Sequence, residues 1–160
     1  MKALHLMIPA ALMVAAPALA AAPAPLDFVK KAGASDLYEQ ESSKLVLATT
    51  QDPKVKSFAS MMVTDHSKST ADVKAAAAKA GVTAPPPKLM PEQEKMIGEL
   101  KAATGKQRDA AYIAQQKQAH MKALALHKGY ATEGTAAPLK AAAAKIAPVV
   151  QHHIDMLKSM

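Results

Sequence analysis

The sequence predicts an all-α fold, a four-helix bundle with a short extra helix between the second and third long helices. Three observations lead there. Alanine and lysine dominate, tryptophan is absent and phenylalanine occurs only at Phe28 and Phe58, a balance that favours helix over sheet. Proline and glycine fall at intervals that leave four long uninterrupted segments. Within those segments the candidate buried positions recur with alternating spacings of three and four, as they do on helices that pack side by side.

The first long helix is expected from about Asp27, as its cap, to Thr49, following Pro23 and Pro25. The second begins with Pro53 in its first turn after Asp52 as cap, and ends at Gly81, a residue suited to a left-handed terminator. A proline-rich stretch, Pro85-Pro86-Pro87, and a short helix from Pro91 to about Thr104 follow. The third long helix then runs from about Lys106 to Glu133. The fourth occupies about Ala137 to Met160 with a kink expected at Pro148. The segment from 81 to 105 is long enough to cross the length of a bundle, so crossover and simple up-down connectivities are both open.

The seam residues follow from the spacing. On the first helix they are Ala34, Tyr38, Glu41, Leu45 and Ala48; on the second Val55, Ala59, Met62, His66, Ser69, Val73, Ala76 and Ala80. The third offers Asp109, Ile113, Gln116, His120, Ala123, His127 and Tyr130, and the fourth Leu139, Ala143, Ile146, Val150, His153, Leu157 and Met160. At about 1.5 Å of rise per residue, His66 and His120 each lie roughly 22 Å from the turn that bounds their helix, near mid-height of a bundle about 40 Å long. Glu41 and His153 fall within one or two turns of that level. One carboxylate and three imidazoles are thus expected to converge inside the bundle.

Buried carboxylates and imidazoles must find partners, and a divalent metal satisfies several at once. Glu41, His66, His120 and His153 are therefore the candidate metal ligands, and the cofactor they would accommodate is one transition metal ion: zinc, copper, iron or manganese. Met62, one turn before His66, with Met121 and Met156 beside the other histidines, would bias the set toward copper, although methionine on a helix commonly fills core. The competing reading is a structural network in which Glu41, His120 and His153 bond to one another, to Tyr38 or to Tyr112. His127 and His152 are read as surface or outer groups. Asp65 points away from the seam, where it could orient a neighbour.

The ends and the overall charge bound the setting. Lys2, an apolar run from Ala3 to Ala16 and Ala18-Leu19-Ala20 form a secretory signal with cleavage expected after Ala20, so residues 1–20 are read as a signal peptide and 21–160 as one domain. The apolar run is short of the about 20 residues that a spanning helix needs. There is no cysteine, so packing alone must hold the fold in the bacterial periplasm to which the signal points. Removing Lys2 with the leader takes the formal charge from +7 to +6. The lysines are spread over every helix and are not interleaved with aromatics. Nucleic acid is not an expected partner, and weak contact with an anionic membrane surface is the most that the charge implies.

Tyr38-Glu39-Gln40-Glu41-Ser42-Ser43, Val55 to Phe58 followed by Met61-Met62-Val63-Thr64-Asp65-His66, Tyr112 with Gln116 and His120, and Pro148 followed five residues later by His153 together resemble the exported bacterial proteins of domain of unknown function family 4142. The resemblance covers nearly the whole of the chain after the leader. It implies export and a ferritin-like bundle, and it brings no reaction. Ferritin-type di-iron centres use Glu-x-x-His on two helices. Here the residues three before the seam histidines are Val63, Lys117 and Val150, so iron oxidation at a di-iron centre is not expected.

Three functions compete on this reading: a periplasmic metal-binding or stress-related bundle, a structural or interaction module of the envelope with a buried His/Glu network, and an oxidoreductase with a nonstandard metal centre. No nucleophile-base-acid set and no glycine-rich phosphate loop is readable, which places the enzyme last.

Overall fold

The computed structural model describes residues 22–160, so the leader expected over residues 1–20 lies outside the described residues. Five helices follow: α1 Pro25–Leu47, α2 Pro53–Lys79, α3 Pro91–Ala102, α4 Gly105–Glu133 and α5 Ala137–Leu157. No strand occurs among the described residues, and no described helix is long and apolar enough to cross a membrane.

Local chemistry explains most boundaries. Asp52 caps α2, its Oδ1 accepting from the backbone N–H groups of Lys54 at 2.8 Å and Val55 at 3.2 Å, two of the donors that a helix start leaves unpaired. At the other end Gly81 takes φ +69°. Val82 N–H then reaches the Ala77 carbonyl at 2.9 Å and Gly81 N–H that of Ala78 at 3.1 Å, the paired bonds of a Schellman terminus. The first helix starts earlier than its sequence suggests. Ala24 is its N-cap and Pro25 opens it, leaving Asp27 in the first turn, where a carboxylate complements the helix dipole without capping. The fifth helix runs through Pro148. Pro148 and Ala144, whose carbonyl loses its donor, are both exposed, so water can supply the missing bond.

Packing pairs α1 with α2 and α4 with α5, while α1 also lies against α4 and α2 against α5. Phe28 near the start of α1 stacks on Tyr130 near the end of α4, and Thr50 just past α1 donates to Asp109 near the start of α4. Those two helices are antiparallel, so α2 and α4 run the same way and the segment between them must return along the bundle. The connectivity is therefore the single-crossover type that ferritin-like bundles have. The crossing segment leans on α1, with Pro87 packed beside Gly33, and α3 then contacts both α1 and α4.

The core is divided. One apolar cluster includes Phe28, Ala32, Val73, Tyr130, Leu139 and Val150; the other includes Val46, Phe58, Met62, Leu100, Tyr112 and Leu157. Between them Asp36, Glu39, His66, Gln116, His120 and His153 are all buried. A polar layer thus interrupts the hydrophobic interior at mid-height, held in place by the apolar packing on either side.

Candidate metal centre

His66 on α2, His120 on α4 and His153 on α5 come together, one ring nitrogen from each lying within 4.8 Å of the others. Their ring centroids form a nearly equilateral triangle with sides of 5.6, 5.7 and 5.3 Å. Helical spacing places them there: each sits on the stripe that also carries Met62 and Val73, Gln116 and Ala123, or Val150 and Leu157, all of them buried.

Each imidazole is held from outside the triangle. Asp36 Oδ1 lies 2.8 Å from His66 Nδ1, Asp65 Oδ2 lies 3.0 Å from His153 Nε2, and the Gln116 carbonyl lies 3.0 Å from His120 Nδ1. Carboxylates and carbonyls only accept, so these three nitrogens are the donors and carry the protons. In the neutral rings the remaining nitrogens are lone pairs turned toward one another. His66 Nε2 has no partner, and His120 Nε2 faces His153 Nδ1 at 3.3 Å, a contact that only an intervening proton or cation makes favourable.

The electrostatics separate the three rings. Burial pushes His120 down to about 3, and the neighbouring His66 and His153 charges add to the shift. Burial also lowers His153, against the hydrogen bond that it donates to Asp65. His66 suffers burial too, but the Asp36 hydrogen bond and the carboxylates of Glu39 and Asp65 outweigh it and hold its pKa above the ordinary value. Proton affinity within the cluster is therefore highest at His66 and lower at the other two rings. Burial likewise raises Glu39 to about 7, opposed by the charge of His66.

Tetrahedral zinc with Zn–N bonds of about 2.0–2.1 Å sets nitrogen separations near 3.3 Å. One pair already stands at that distance. Contraction of the 4.8 Å limit by no more than about 1.5 Å completes the set. Outward nitrogens fixed by carboxylate or carbonyl acceptors, with inward lone pairs, are also how proteins orient histidine for metals.

Glu41 does not join the group. It is half-buried on the flank of α1, and the acids that meet the histidines are Asp36, Glu39 and Asp65. The physical reason lies in α1, which is covered by α2, α4 and α3 and so buries a broader face than one seam: Ala32, Asp36, Glu39, Ser43 and Val46 are all inside. A stripe begun at Phe28 would have reached Glu39; one begun at Ala34 reached Glu41. The expected bias toward copper loses Met121, which is 60% exposed. His127 is buried rather than superficial, its ring edge against Phe28, whereas His152 is exposed as expected. Tyr38 donates to Gln115 and Tyr112 pairs with Ser43, so neither tyrosine bonds to the histidines.

Fold and site together define an all-helical bundle with a buried histidine triad backed by acceptors. The chain belongs to the family described as a domain of unknown function, DUF4142, which matches residues 10–160. No curated protein matches it. Among solved structures it resembles a DUF305 fragment from Deinococcus radiodurans, with TM-score 0.73, 16% identity, and coverage of 87% of this chain and 95% of that one. A DUF305 protein from Streptomyces coelicolor is similar at TM-score 0.70 and 15% identity, over 83% of this chain and 87% of that one. At such identities the likeness concerns the fold.

Proposed function

We propose that this protein binds one transition metal ion in the bundle interior through His66, His120 and His153, as a non-enzymatic, stress-related or metal-handling protein of the bacterial periplasm. The observation that carries the reading is the orientation of the triad: three outward N–H groups anchored on acceptors and three inward lone pairs without enough protons to satisfy them. Imidazole nitrogen suits zinc and copper, and iron less specifically. The periplasmic setting rests on the leader read over residues 1–20, with the domain running from 21 to 160. Intact mass of secreted protein should begin at Ala21, and a chain retaining Met1 would end that part of the reading.

The direct test is metal analysis of untagged protein purified from periplasm without chelators. About one zinc or copper per chain is expected. Protein that arrives empty and takes up neither metal on dialysis would leave a second reading, which the 3.3 Å His120–His153 contact also favours: a proton-sharing polar network that fixes helix register in an envelope module.

A further inference from the structure

α1 is the one long helix that contributes no histidine to the triad, yet it places a carboxylate in the same layer. Glu39 is 1% exposed, and neither of its carboxylate oxygens has a hydrogen-bond partner. Its Oε1 lies 3.6 Å from His120 Nδ1, beyond hydrogen-bonding reach. That ring nitrogen already donates to the Gln116 carbonyl, so Glu39 is not needed to hold His120. Asp36 and Asp65 differ in both respects: each is engaged by the histidine it backs. A carboxylate buried without partners is costly. This one stands beside the outward nitrogen of His120, just outside the cluster of three imidazoles, so a rotation of its side chain past that ring is what would bring it to a cation held there.

We infer that Glu39 is the fourth ligand of the metal, its carboxylate turning from the flank of the His120 ring onto the ion, so that each long helix supplies one ligand and no coordination position stays open. This rests on the metal reading above. It assigns the site to the closed, four-coordinate class, and away from the class that keeps a position free for water or substrate.

The experiment uses the full mature protein loaded with cobalt(II), whose visible spectrum reports its ligands, with azide as the competing ligand. Azide should leave the spectrum of the wild type unchanged and should shift that of Glu39→Ala, in which the position is vacated. Glu39→Gln, which keeps the shape of the side chain, should hold cobalt about tenfold or more weakly and also admit azide. It serves if the alanine variant fails to fold by circular dichroism. A wild type that takes up no cobalt overturns both the metal reading and this assignment. Cobalt bound with azide admitted to the wild type, or excluded equally from the folded Glu39 variants, overturns the role of Glu39 alone.

Discussion

His120 Nε2 and His153 Nδ1 face each other at 3.3 Å while the opposite nitrogen of each ring donates outward. The pair is therefore two lone pairs in contact, and a bound cation should relieve it. Zinc or copper should raise the melting temperature, by mass action worth about 2.7 kcal/mol at a free metal concentration one hundred times Kd. The gain should fade as the solution is acidified, protons competing first at His66, whose pKa stands above the ordinary value, and only at lower pH at His120 and His153. His66→Ala should lose most of the metal-dependent gain, and exposed His152→Ala should keep it. Equal responses of the two variants in thermal melts would sink the triad as a binding site.

His127 gives the metal-free protein an acid sensitivity. Its pKa is pushed from 6.5 to about 4 by burial, against the pull of Asp36. The unfolded chain then binds more protons than the native one between those values, so the contribution is complete above pH 6.5 and is lost as pH falls toward 4. Its ceiling is roughly 3 kcal/mol. Urea unfolding of chelator-treated protein from pH 7 to pH 4 should show a smaller loss for His127→Phe than for the wild type. Parallel losses would remove His127 as a cause.

Glu39 acts with the opposite sign. Its pKa is raised from 4.5 to about 7 by burial, so the native chain holds the proton more tightly, and stability is lost as pH rises from 4.5 through 7. Glu39→Gln should therefore stabilise the metal-free protein at pH 8 by up to about 3 kcal/mol and change little at pH 4. A gain equal at both pH values, read from denaturant midpoints, would mean that the ionised carboxylate is not the source of the cost.

Two glycines should respond oppositely to alanine. A Cβ at Gly134 would stand 2.5 Å from the Tyr130 carbonyl oxygen and 2.6 Å from its ring, and Tyr130 is itself stacked on Phe28 at 3.9 Å. Gly134→Ala should cost about 1–3 kcal/mol by forcing that packing apart. Gly129 lies inside α4, and a Cβ there would meet nothing within 4 Å, so Gly129→Ala should gain up to about 1 kcal/mol from helix propensity. Denaturation curves that move the same way for both would contradict this packing.

Local rules carried the helices and most of the seam. Asp52 and Gly81 read correctly because capping and left-handed termination are decided by a few adjacent residues. The α2 stripe from Val55 to Ala76 and the α5 stripe from Leu139 to Leu157 read correctly because each of those helices turns one apolar face to its neighbours. His66 and His153 came with those stripes and His120 with the more polar stripe of α4, since helical periodicity puts a residue on a face whatever its chemistry.

What the sequence by itself determined is thus the helical class, the main boundaries and the inward position of the three histidines. The tertiary structure decided the rest. It chose the crossover connectivity, which depends on how residues 82–104 pack along α1 rather than on their own propensities. It replaced Glu41 by Glu39, because burial of α1 on several sides erases the single narrow stripe from which its inward acid could be read. It also brought Asp36 and Asp65 to the outer nitrogens of His66 and His153. Those contacts join residues 30 and 88 positions apart in the chain, and no local spacing encodes them, because a hydrogen bond between helices depends on their relative rotation and register, which only the packing of both apolar clusters sets.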